Sequence, residues 1–211
     1  MLSYLNSYFQ NFKYISFIFL YIFCFSFSDQ IVAEEKNKNL ENVYKLLQEK
    51  NFQDGLKELQ ILCEDNNIQA QLLFSKILFS GDLTPQDFEN SYFWSSSALL
   101  GGLKKSEIII EKLNNYLTED KIVKIKDNLK VFLEKKALNG DKRAIIQIAK
   151  FYEIFLEPAD FVNAYTWYSI AVAQGIKTAK TKRDELINEL NEKDLLEAQT
   201  LSIKLFKQIN N

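Results

Sequence analysis

Histidine is absent from this 211-residue chain, and cysteine, glycine and proline are scarce. Without histidine, the chain lacks the usual general base near neutral pH, the Ser-His-Asp and Cys-His catalytic arrangements and the most common metal ligand. Six glycines and two prolines are too few for the many turns of a β-sandwich or barrel, and they favour long helices. We therefore predict an all-helical, non-enzymatic protein with no cofactor, no metal site and no catalytic residue.

The cysteines and the charged residues argue against two further kinds of site. Cys24 and Cys63 do not have the spacing of zinc ligands. Cys24 lies in an N-terminal stretch that we expect to be removed, so Cys63 would have no disulfide partner and is expected to be a small core residue. Lysine and arginine total 26 against 28 aspartate and glutamate residues, and this balance argues against nucleic-acid binding.

The N-terminal segment has the features of an export signal. Residues 14–27 carry no charge, follow Lys13 and form a shorter apolar run than the 18 or more residues that span a bilayer. Small residues permit cleavage after Ser28 or after Ala33. We predict a signal peptide over residues 1–33 and an exported, periplasmic protein. The alternative is an uncleaved anchor in the inner membrane formed by residues 14–27.

The rest of the chain contains an internal duplication with an offset of 73 residues. Both tryptophans, Trp94 and Trp167, fall at equivalent positions. The same offset aligns four further pairs of identical residues, namely Pro85–Pro158, Asp87–Asp160, Ala98–Ala171 and Gly102–Gly175. Upstream the offset becomes 74 and pairs Ala70–Ala144 and Lys76–Lys150. Each duplicated unit predicts four helices, which bury their apolar faces against neighbouring helices.

Helix-ending signals recur within each unit. Gly81 suits the left-handed conformation that ends a helix. The stripe of Trp94, Ala98 and Gly102 places a large ring beside small residues, so an adjacent helix can approach closely. The predicted N-caps are Asp87, Thr118 and Asn191.

These residues resemble the Sel1-like repeat, a relative of the tetratricopeptide repeat built from antiparallel helix pairs. Clear repeats cover residues 67–102 and 141–175, within a repeat domain over residues 38–211. The signature positions are Ala70, Gly81, Asp87, Trp94, Ala98 and Gly102 in the first repeat, and Ala144, Asp160, Trp167, Ala171 and Gly175 in the second. The second loop lacks its glycine, and Ser75, Ala149 and Ser91 replace the family's glycine, glycine and alanine. The resemblance implies an α-solenoid with a right-handed superhelix, preceded by a signal-peptide helix.

The resemblance implies a monomeric adaptor of the cell envelope that binds a partner protein or peptide on a solenoid surface. Lys76 and Lys150 hold equivalent positions outside the predicted core, as candidate partner contacts or ordinary solvated lysines. One alternative is a hydrolase of cell-wall or peptide substrates that uses carboxylates, and another is a membrane-anchored regulator of an envelope signalling protein. Capping or solvation also explains the carboxylate pairs, which are Glu34–Glu35, Glu119–Asp120 and Asp184–Glu185.

Overall fold

The computed structural model describes residues 39–210, and every regular element in that range is helical. The predicted all-helical class is thereby confirmed, and no helix in the range is long and apolar enough to cross a membrane. The predicted signal peptide, Cys24 and Glu34–Glu35 lie outside the described residues, and the domain boundaries stay a prediction. The helices are α1 (39–48), α2 (Phe52–Glu64), α3 (Ile68–Ser80), α4 (Phe88–Leu100), α5 (Glu107–Leu113), α6 (Glu119–Leu138), α7 (Lys142–Lys150), α8 (Phe161–Ala173), α9 (Ala179–Leu186) and α10 (Glu192–Ile209).

The chain divides into two compact units, Met1–Gly55 and Leu56–Asn211. In the described part of the first unit, α1 ends in a turn at Lys50, whose φ is 63°. Gly55 lies so close to α1 that a Cβ there would meet Leu47 Cδ2 at 2.9 Å. The second unit holds the rest of α2, the helices α3 to α10 and both predicted repeats.

The duplication is visible in the backbone of the second unit. The turns between α2 and α3 and between α6 and α7 each contain a left-handed residue, Asn66 with φ 59° and Gly140 with φ 82°. The next residues, Asn67 and Asp141, are N-caps whose side chains accept the backbone N–H three positions on at 3.1 Å. The same turn therefore starts both clear repeats, although asparagine takes the glycine position in one of them.

The predicted N-caps differ in how they bind their helices. Asp87 and Asp160 cap α4 and α8 alike, each accepting the backbone N–H three residues on at 3.0 Å. Asn191 caps α10 in the same way, also at 3.0 Å. Thr118 occupies the N-cap position of α6, but its side chain makes no capping hydrogen bond within residues 39–210. Glu119–Asp120 in the first turn of α6 complement its helix dipole instead.

The aromatic–small stripe packs the second helix of each repeat. Trp94 and Trp167 are buried, and Ala98 and Ala171, four residues on, have no exposed surface. Trp94 meets Phe132 of α6 edge-on, with 5.7 Å between the ring centroids. The alanines give neighbouring helices room for close packing around the indoles.

Left-handed glycines follow three helices at the predicted positions. Gly81, Gly102 and Gly175 have φ values of 77°, 101° and 85° after α3, α4 and α8. The loop after α7 lacks its glycine, and there the chain widens into a π-helical turn over Phe151–Phe155 before Leu156 becomes extended. Because a residue with a Cβ disfavours the left-handed conformation, the chain leaves α7 through this wider turn.

A chain of buried amide hydrogen bonds connects the two repeats. Gln147 of α7 has no exposed surface, and its Nε2 donates to the Ser97 carbonyl oxygen at 2.8 Å. Its Oε1 accepts from Asn66 Nδ2 at 2.7 Å, and Asn66 Oδ1 accepts from Gln71 Nε2 at 3.1 Å. A Cβ on Gly101 would lie 2.4 Å from a side-chain carbon of α3 and 3.3 Å from the Gln147 amide nitrogen. The sequence pattern assigned no role to these residues.

We expect Gln147→Ala to lower the free energy of unfolding by about 2–3 kcal/mol, because the Asn66 amide and the Ser97 carbonyl lose a buried partner. Gln69→Ala, at an exposed position of α3, is the matched control and should change this free energy by less than about 0.5 kcal/mol. Urea unfolding followed by circular dichroism measures both. Equal effects of the two substitutions would contradict a structural role for the amide chain.

Candidate functional site

The two candidate partner-contact lysines lie in different surroundings. Lys76 is exposed on α3. Lys150 at the end of α7 is half-buried, and its Nζ donates to the Leu100 carbonyl oxygen at the end of α4 at 3.2 Å. Burial lowers the pKa of Lys150, while the charge of Glu153 acts in the opposite direction. Equivalent sequence positions therefore have different environments, and partner contact by either lysine stays a prediction.

Lys150→Met should lower the free energy of unfolding by about 1 kcal/mol, because it keeps the apolar stem and removes the donor to the Leu100 carbonyl. Lys76→Met replaces an exposed lysine at the equivalent position and should have an effect below about 0.5 kcal/mol. Thermal and urea unfolding of both variants check the difference. A smaller loss of stability for Lys150→Met than for Lys76→Met would show that the bond to α4 contributes nothing.

The carboxylates of Asp184 and Glu185 are paired, and the thiol of Cys63 is buried. Asp184 pairs with Arg183 at 2.6 Å, and Glu185 pairs with Lys182 at 3.1 Å. Cys63 has no exposed surface, and burial raises the pKa of its thiol, so it is the core residue that the sequence predicts. Within residues 39–210, no group of three or more cysteine, aspartate or glutamate side chains could hold a metal ion.

Two tyrosine–glutamate pairs lie near the π-helical turn. The Tyr152 hydroxyl donates to Glu134 of α6, and the Tyr168 hydroxyl donates to Glu153. Lys182 Nζ also lies 3.2 Å from Glu153. Burial raises the pKa of both phenols above the usual range, and the hydrogen bond to each glutamate and its charge raise it further. Both hydroxyls therefore act as protonated donors that join neighbouring elements.

These pairs predict a loss of stability in alkaline solution. Above about pH 10 an ordinary tyrosine ionises in the unfolded chain, whereas Tyr152 and Tyr168 stay protonated in the folded chain. A pKa that is higher in the folded state contributes stability below pH 10, and this contribution is lost as the pH rises further. In urea unfolding at pH 8 and pH 11, a Tyr152→Phe, Tyr168→Phe variant should therefore lose less stability between the two pH values than the unaltered chain. An unchanged loss would contradict the raised pKa values.

α7 fills a groove between α4 and α6. Leu129 and Leu133 of α6 belong to the same buried cluster as Ile145 and Ile148 of α7. Two polar side chains of α7 donate to carbonyl oxygens of α4, as described above. The groove therefore binds its helix through an apolar floor and through the carbonyl groups at one wall.

The equivalent groove between α8 and α10 is open. It has a volume of about 210 Å³ and is lined by Ser169, Ile170, Ala173, Ser202, Ile203, Phe206 and Lys207. An offset of 73 relates these residues to positions on α4 and α6, namely Ser96, Ser97, Leu100, Leu129, Lys130, Leu133 and Glu134. No helix within residues 39–210 occupies the open groove. The second unit thus contains the same groove twice, and residues 39–210 supply a helix to one of the two grooves.

The open groove has an apolar floor and a basic rim. The Ser202 hydroxyl donates to a carbonyl oxygen of its own helix at 2.6 Å, so it adds little polarity to the floor. Ile203 is 59% exposed, and Leu196, two turns earlier on α10, is 56% exposed. Lys204 and Lys207 are also exposed, and residues 198–210 contain no aspartate or glutamate. Such a surface suits an amphipathic segment.

The open groove was not among the features predicted from the sequence, although the aligned repeats contain one signal for it. The 73-residue offset aligns α8 with α4 and α10 with α6. In this alignment Ser202 and Ala173 stand where the filled groove has Leu129 and Leu100, so the floors of the two grooves differ.

Comparisons with known proteins bear on the fold alone. No family model and no curated protein matches the chain. Among solved structures, the chain is similar to the crystal structure of c5321, a protective antigen present in uropathogenic Escherichia coli strains that displays an SLR fold. The similarity covers 74% of this chain and 41% of the antigen, at 16% identity and a TM-score of 0.36. This chain thus spans less than half of the antigen's length. Because the TM-score is low, the description of the fold depends on the helix packing given above and not on this similarity.

Proposed function

We propose that this chain is a non-enzymatic protein-binding module, an adaptor that holds a partner protein or peptide on its helical surface. The open groove between α8 and α10 carries the proposal. An equivalent groove of the same unit buries a helix, so this surface has a form and an apolar character that suit helix binding. Exposed apolar side chains around a groove are typical of interaction sites.

The architecture that we propose is an α-solenoid of Sel1-like helix hairpins with a right-handed superhelix. Three features shared by residues 67–102 and 141–175 support it: the N-cap hydrogen bonds, the left-handed glycines after the second helix and the buried tryptophan–alanine pairs. Stacked hairpins of this kind provide an extended surface for a partner.

The proposed adaptor works as a monomer in the periplasm, where the N-terminal segment directs it. Anchoring through residues 14–27 is the alternative, and it suits a regulator of an envelope signalling protein. The ion pairs of Asp184 and Glu185 do not favour the other alternative, a hydrolase that acts through carboxylates.

The proposal predicts a specific crosslink from the open groove. A photoreactive benzoylphenylalanine at position 203 should give a reproducible adduct with one envelope protein in the native host, because this side chain lines the groove. The same amino acid at position 108 is the matched control, since Ile108 on α5 is 57% exposed and lies outside the groove. Mass spectrometry identifies the adduct. Val123 on α6 is 53% exposed and offers a second surface away from the groove. If positions 203, 196 and 123 all gave no protein adduct, the binding function would be contradicted.

A further inference from the structure

We infer that the open groove binds one amphipathic helix of a partner protein, packed as α7 packs in the filled groove and carrying a carboxylate towards Lys207. This inference rests on the proposed function and specifies the chemistry of the partner. It follows from a comparison of the two equivalent grooves within the second unit.

The filled groove shows what kind of segment fits. The apolar side chains that α7 buries completely are small or branched, namely Ala144, Ile145, Ile148 and Ala149. Its polar Gln147 and Lys150 donate to carbonyl oxygens of α4. The corresponding carbonyl oxygens of α8 belong to Ile170 and Ala173, in the last turn of that helix. A helix with an apolar face and long polar donors therefore matches both the floor and the wall of the open groove.

Two residues that line the open groove are smaller than their counterparts in the filled groove. Ala173 stands in place of Leu100, and Ser202 stands in place of Leu129, next to a free volume of about 210 Å³. An apolar cavity of about 150 Å³ is able to hold a benzene molecule. The incoming helix therefore carries a leucine- or phenylalanine-sized side chain on its buried face, larger than the alanines of α7.

One position at the rim carries opposite charges in the two grooves. Glu134, which accepts the Tyr152 hydroxyl, corresponds to Lys207 on α10. Lys204 adds a second positive charge one turn away, and within residues 39–210 no ion pair involves either lysine. A carboxylate of the partner takes the place that the Tyr152 hydroxyl takes in the filled groove. Opposite charges across an interface also speed association at low salt.

A second copy of this chain does not match the groove. α3 and α7, the helices that begin the two repeats, are already packed within their own repeats. A contact between the α10 helices of two copies around a two-fold axis would bring Lys204 and Lys207 of both copies together, and like charges oppose such a contact. The charge of the two lysines therefore favours a helix of another protein that carries a carboxylate over a second copy of this chain.

A synthetic peptide tests the groove directly. It has the sequence of residues 142–155 with Ala149→Leu and Tyr152→Glu, which supply the larger apolar side chain and the carboxylate. A staple between positions 142 and 146 forms the helix in advance, because an isolated helix of this length is marginal in water. Fluorescence anisotropy with the full chain should show saturable binding, about tenfold tighter than that of a second peptide with Tyr152→Lys in place of Tyr152→Glu.

Variants of the chain locate the binding site. Ile203→Asp should weaken binding of the glutamate peptide about tenfold, whereas Ile108→Asp, at an equally exposed isoleucine of α5, should leave it unchanged. Lys207→Glu should reverse the preference between the two peptides. Thermal unfolding verifies that all three variants fold. Absence of peptide binding, or equal loss in Ile203→Asp and Ile108→Asp, would overturn the assignment of the groove.

Two further outcomes distinguish this inference from the proposed function. A dimer in analytical ultracentrifugation that Ile203→Asp abolishes would make a second copy the occupant and would overturn the partner helix. A crosslinked envelope partner at position 196 that persists in the Ile203→Asp variant would overturn the groove as its site, while the binding function would stand.

Discussion

The amide of Gln147 ties together three segments of the second unit that are distant in sequence, namely the turn at Asn66, the end of α4 at Ser97 and α7 itself. Burial of a glutamine amide costs free energy unless its donor and acceptor both find partners. The amide donor and acceptor of Gln147 both find partners when α7 lies in the observed position along α4. This position determines how α7 packs against α4 and α6. The bonds from Lys150 to the Leu100 carbonyl and from Tyr152 to Glu134 are compatible with the same position.

The duplication repeats the arrangement of α4 and α6 in α8 and α10, but the side chains on α10 differ. The α6 positions that support α7 recur on α10, but Ser202, Ile203 and Lys207 replace Leu129, Lys130 and Glu134. The replacements remove the acceptor for a tyrosine hydroxyl and leave an apolar floor beside two lysines. Within residues 39–210, one groove is filled by a helix and the equivalent one is not, and the side chains that line each groove determine what it can bind.

Departures from the repeat signature are accommodated by local bonding. Ser75 and Ser91 stand where the repeat signature that the sequence resembles has smaller residues, and both are fully buried. The Ser91 hydroxyl donates to the Ser75 carbonyl oxygen at 2.8 Å, so the extra polar atom is satisfied between α3 and α4. The missing glycine after α7 changes the backbone itself. No residue after α7 takes the left-handed conformation that ends α3, and the chain forms a π-helical turn there instead.

The sequence by itself determined the features that depend on residues a few positions apart. Asp87 and Asn191 cap their helices, and Gly81 ends α3, because backbone conformation and capping bonds are local. The tertiary structure decided the features that depend on distant partners. Gln147 meets Asn66 across the two repeats, and Lys76 and Lys150 differ because only Lys150 reaches another helix end. The open groove belongs to the second class: a periodic pattern shows which face of a helix is apolar, whereas only the packed chain shows whether another helix covers it.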